Sequence, residues 1–138
     1  DIFNHRTILV GESVKGTGPR RLTPENLAKE ATNGNVGLYF EKEVYSLFDN
    51  PFALPTLQAI GKSLNYGSDN WKDIEIDVIG YATGGYCVDA VVEGLFRDPH
   101  IQQAHIRVLS YATAAIGGEE GMEKSKKALT ALGADWIS

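Results

Sequence analysis

A second cysteine is absent from this 138-residue sequence, in which Cys87 stands alone. No intrachain disulfide can form, and such sparing use of cysteine suits a reducing compartment. Nor is there an apolar run of the ~18–20 residues that a membrane-spanning helix requires, or a basic stretch leading into an apolar one that would mark export. The expected setting is the cytoplasm, with no membrane partner. Bases are scarce too: 13 Lys and Arg face 18 Asp and Glu, for a formal net charge of -5. Nucleic-acid binders concentrate bases to neutralise phosphates, so nucleic acid is not an expected partner. The densest basic cluster, Arg20-Arg21, follows Gly18-Pro19 and reads as a solvated loop. Three histidines, His5, His100 and His105, lack the H-x-H and H-E-x-x-H spacings of metal sites, so no metal is expected from them. Two glycine-rich stretches also fail as cofactor loops. Thr17 stands where a phosphate loop needs its lysine, and Gly16-Thr17-Gly18-Pro19 lacks the third glycine of a dinucleotide fingerprint. No cofactor is expected.

What is present is the composition of a single packed domain, with 43% hydrophobic and 22% charged residues. A chain of this length buries roughly two-thirds of the surface exposed when unfolded. Short β-rich runs at 7–10, 36–40, 74–79 and 105–109, with a short fifth at 135–137, alternate with helical periodicity. That alternation predicts helices covering a mainly parallel sheet. Thr23-Pro24-Glu25 supplies an N-cap, a first-turn proline and a first-turn acid for a helix over 24–31. Leu57, Ile60 and Leu64 predict a second helix over 55–64, with a polar exit loop over 65–72. Val88, Val91, Val92, Leu95 and Phe96 fall at i, i+3, i+4, i+7 and i+8 and predict a third, ending before Asp98-Pro99. A fourth should cover 119–132, with acids at its start and Gly133 as its stop.

The chemistry gathers where the 74–79 strand runs through Gly80-Tyr81-Ala82-Thr83-Gly84-Gly85-Tyr86 into Cys87, which opens the third helix. A thiol at a helix N-terminus faces unpaired N–H groups and the positive end of the helix dipole, which favour thiolate. The same amides can hold an oxyanion. A lone cysteine is also a common buried small hydrophobe, and a glycine turn before a helix also cradles phosphate in nucleotide- or flavin-binding domains, so both readings stand at this point.

The segment from Gly80 to Ala90 resembles the nucleophile turn of the isochorismatase-like cysteine hydrolases, a strand followed by G-x-x-T-x-x-C-V. Lys42-Glu43-Val44-Tyr45-Ser46-Leu47-Phe48 is similar to the family's K-x-x-Y-S-x-F segment, and the stretch from Val108 to Ala115 to its V-x-x-D-A-T-A-A strand end. The three lie in the family's order. The resemblance implies a Rossmann-like three-layer α/β sandwich with a mainly parallel sheet, spanning the chain as one domain, and a homo-oligomer. It also implies Cys87 as nucleophile and Lys42 as its charged partner. An aspartate would take the thiol proton in an amidohydrolase cleaving a small amide or ureide C–N bond. Thr83 and Gly84 would belong to the oxyanion turn, with the Thr83 and Cys87 amides as donors and Ala82–Thr83 as the cis peptide. Tyr45, Phe48 and Tyr86 would line the pocket.

Two departures leave alternatives open. The family's aspartate ends a first strand well upstream of the lysine, and little sequence precedes Lys42 here. Either an N-terminal strand is lacking from the sequence, or Asp1-Ile2-Phe3-Asn4 stands in for the family's D-x-x-N, or the chain is a degenerate member that binds a small molecule or a protein. The turn also holds one residue more between Thr83 and Cys87 than the commonest form, and Tyr111 stands where the family usually has Asp.

Overall fold

The computed structural model describes residues 8–14, 36–42, 46–65, 67 and 69–138, with only the backbone described in the first two stretches. Those two are strands, β1 (Ile8–Val14) and β2 (Val36–Lys42), paired in parallel with Ile8 opposite Val36 and Val14 opposite Lys42. A second parallel sheet runs in the order β3 (Glu75–Thr83), β4 (His105–Ala115) and β5 (Asp135–Ile137). Among the described residues three α-helices accompany them: α1 (Ala53–Leu64), α2 (Cys87–Arg97) and α3 (Gly118–Leu132). The helix expected over 24–31 lies outside the described residues.

The expected strands are present, but β1 to β4 all run further than their β-rich cores, β3 and β4 through irregular pairing. Gly80, at φ 117°, and register shifts between Val78 and Gly80 and between Tyr81 and Thr83 carry β3 through the glycine to Thr83. Val78 pairs with Val108 but Gly80 with Thr113, so β4 bulges between those pairs and then rejoins the ladder. Bulges of this kind re-aim strand ends next to functional sites.

Consecutive parallel strands need crossovers, and the right-handed preference places successive crossovers in one sheet direction on one face. Accordingly α2 packs on β3, and α3 on β4 and β5. The face they cover is apolar: Val78, Ile106 and Val108 from the sheet meet Val88, Val92 and Leu95 of α2 and Leu129 of α3. Each large aliphatic side chain buried here contributes about 1.5–3 kcal/mol. On β3 the alternate residues Glu75 and Asp77 are exposed and bind Arg107 of β4. Arg107 Nε donates to Asp77 Oδ1 at 2.7 Å, and Nη2 donates to Asp77 Oδ2 and Glu75 Oε1, both at 2.9 Å. The hydrogen bond to Asp77 and the two carboxylate charges push the guanidinium further above its ordinary value. His105 extends the set to Asp135 of β5.

The stretch expected as a polar exit loop after α1 closes instead on a buried anchor. Trp71, 4% exposed, opens a 3-10 turn whose Asn70 side chain accepts from the Lys72 N–H, and its ring lies on Gly61 of α1. A methyl group added to Gly61 would stand 2.0 Å from Cη2 of that ring. Gly61→Ala is expected to lower the unfolding free energy by about 1–3 kcal/mol, because the indole must move out of a packed site. Urea denaturation followed by tryptophan fluorescence measures it, and an unchanged midpoint would contradict the packing described.

The architecture is α/β, a parallel sheet flanked by helices and consistent with a three-layer sandwich. Among the described residues no helix is long and apolar enough to cross a membrane.

Candidate active site at the Cys87 turn

Strand β3 ends at Thr83, Gly84-Gly85-Tyr86 turns the chain, and Cys87 is the first residue of α2. The turn therefore lies at the carboxyl end of the parallel strands, where ligands of open α/β sheets characteristically bind. Tyr86 takes the N-cap position and accepts from the Ala90 N–H at 2.9 Å, but no side chain caps the helix. Cys87 is a half-buried residue. An uncapped first turn leaves backbone N–H groups available for charge at that end of the helix.

Backbone crowding fixes the turn. Gly84 sits at φ 92°, and a methyl group on it would lie 2.6 Å from the Ile116 carbonyl oxygen. Gly121 of α3 is equally tight, its notional Cβ falling 2.2 Å from the same oxygen. The Ile116 N–H donates to the Thr83 carbonyl at 3.2 Å. The Gly84 N–H donates to Ser125 Oγ at 2.5 Å, and that hydroxyl faces Asp89 Oδ1 and Oδ2 at 3.0 and 2.8 Å. Gly121, Ser125 and Leu129 fall at i, i+4 and i+8 on α3 and are all buried, so one face of this helix carries both the turn contact and core packing.

The sequence-derived site is only partly assembled by these contacts. Thr83 is fully buried and points its hydroxyl at Met122 Sδ, 3.6 Å away. Gly84 belongs to the turn but is no oxyanion donor, since Ser125 already accepts its N–H. The cis peptide is Tyr81–Ala82, one position before the expected Ala82–Thr83 bond. Phe48, expected to line a pocket, has its ring against Gly94 of α2, where a methyl group would fall 2.1 Å from Cδ2. Missing volume at Gly94 draws the ring onto the helix. Tyr86 is half-buried at the N-cap. Lys42 ends β2 at its carboxyl end, but its side chain, like all of Tyr45 and Asp1, lies outside the described residues. Tyr111 is 70% exposed on the bulged part of β4.

Three residues near the turn were not singled out by sequence reasoning. Asp89 and Ser125 form the buried hydrogen-bond pair, and the Lys124 ammonium lies beside Gly85, 3.7 Å from where its Cβ would stand. The helical spacing of Gly121, Lys124 and Ser125 places all three toward one side of α3, but nothing local says which loop they meet. Among the described residues no cluster of three His, Cys, Asp or Glu side chains is placed to hold a metal ion. An open groove lined by Gln58, Ala59, Lys62, Asp69, Trp71 and His100 includes no residue of the cysteine turn.

Comparison with known proteins finds no matching family model, curated protein or solved structure.

Proposed function

We propose that this protein is a cysteine hydrolase that cleaves a small amide or ureide C–N bond through an acyl-enzyme on Cys87. The observation that carries the reading is the half-exposed Cys87 at the first position of α2, after a glycine turn at the carboxyl end of a parallel strand, with no side chain capping the helix. Its motif resemblance to the isochorismatase-like hydrolases adds the reaction class.

In this reading the Cys87 thiolate attacks the carbonyl carbon, a C–S bond forms, and the tetrahedral oxyanion collapses with loss of the protonated amine. Water then adds to the thioester carbonyl, the C–S bond breaks and the thiol is regenerated. The Cys87 amide, joined by Thr83 in the family pattern, holds the oxyanion. Lys42 shares the thiolate's charge, and an aspartate carries the proton from thiol to leaving group. The working form is a homo-oligomer in the cytoplasm, acting on a small-molecule amide without a cofactor.

Iodoacetamide tests the thiolate directly. At neutral pH Cys87 is expected to label on the order of tenfold faster than free cysteine, because the backbone N–H groups and positive dipole end at a helix N-terminus favour sulfur attack. A rate no better than that of free cysteine would sink the reading. Ammonia release from a panel of small amides and ureides then identifies the substrate.

A second reading, a catalytically degenerate binding module of the same fold, has its own support. The Gly84 amide is already taken by Ser125, so this part of the turn offers an oxyanion no donor. The labelling rate separates the two.

A further inference from the structure

We propose that Ser125 and Asp89 are positioning residues for Cys87, a buried pair that holds the nucleophile turn closed through one hydroxyl; the role rests on the cysteine-hydrolase reading above. Ser125 Oγ is the common point of the arrangement. It accepts from the Gly84 N–H at 2.5 Å and lies 3.0 and 2.8 Å from the two oxygens of Asp89.

A serine hydroxyl carries one proton. Because the Gly84 N–H donates to Oγ, a lone pair faces Gly84 and the hydroxyl proton is directed to Asp89. The carboxylate thus sets the direction of the hydroxyl, and the hydroxyl sets the position of the turn. Gly84 precedes Cys87 by three positions and Asp89 follows it by two, so the two contacts bracket the thiol in the chain. Both partners are sealed from solvent, with Ser125 0% and Asp89 5% exposed, so water does not readily replace either bond.

The same geometry keeps Asp89 out of the chemistry. Two residues along a helix are roughly 200° around its axis, so Asp89 faces α3 while Cys87 faces away from it. Asp89 is therefore not the proton acceptor for the thiol. Crowding of Gly84 and Gly121 against the Ile116 carbonyl adds shape to the clamp without replacing its hydrogen bonds.

Full-length protein and iodoacetamide test the pair. Ser125→Ala and Asp89→Ala are expected to lower the Cys87 labelling rate about tenfold at neutral pH. Asp89→Asn keeps an acceptor oxygen for the hydroxyl and should hold the rate within about threefold of wild type. Denaturant midpoints, measured in parallel, confine the comparison to folded protein. Wild-type labelling in both alanine variants while folded would overturn the positioning role and leave the cysteine reading intact. Wild-type protein labelling no faster than free cysteine would overturn the cysteine reading, and the positioning role with it. Should the alanine variants not fold, hydrogen exchange at the Gly84 amide of the wild-type protein decides: strong protection supports the clamp, and exchange at the rate of an open loop refutes it.

Discussion

If the proposed cysteine-hydrolase reading holds, Cys87→Ala should abolish amide turnover, by on the order of 10³–10⁶-fold in kcat, while the fold survives. The size follows from chemistry: this is the only thiol in the chain, so no second sulfur can form the acyl-enzyme. What remains is the background that oriented amides and substrate binding supply without a nucleophile. Stability should change by less than about 1 kcal/mol, because a half-buried cysteine at a helix end leaves little cavity when truncated. Ammonia release measures the activity and urea denaturation the stability. Turnover within tenfold of wild type would remove Cys87 from the mechanism.

Gly84→Ala should be the most damaging small change to the fold. Its φ of 92° lies in the left-handed region, which costs an L-residue about 1–2 kcal/mol. The added methyl group also meets the Ile116 carbonyl oxygen at 2.6 Å, a backbone atom that cannot rotate away. Together these predict a loss of about 2–4 kcal/mol, with the larger share from overpacking. Gly67 isolates the first contribution, since it has φ 87° but nothing within 4 Å of an added Cβ. Gly67→Ala should therefore cost only the backbone part, about 1–2 kcal/mol. Equal denaturation midpoints for the two variants would show that the crossing of turn and helix is not tight.

The start of α2 at Cys87 was legible because its apolar residues recur at helical spacing directly after the glycine turn, and the same residues form the buried face. Strand cores and the stop at Gly133 were legible for similar local reasons, the latter donating its N–H to the Leu129 and Thr130 carbonyls. The reach of β3 beyond Gly80 was not. A glycine after an apolar run reads as an end, and only pairing with β4 shows that the strand bulges and continues.

The candidate site was less legible than the fold. Ser125 looks like any polar residue of a charged helix, and its partners Gly84 and Asp89 lie 41 and 36 positions away. For Phe48 an aromatic residue in a motif segment suggests a pocket wall, and the sequence does not report that Gly94 offers its ring a place on the helix backbone. In both cases the deciding atom belongs to a distant element, and no local pattern reports it.

Each strand of the β3–β4–β5 sheet lies beside its neighbour in sequence, with one α-helix between. Short separations of this kind carry little loop-closure entropy and favour rapid assembly. The residues on both sides of the cysteine turn are thus expected to assemble together with the core rather than after it.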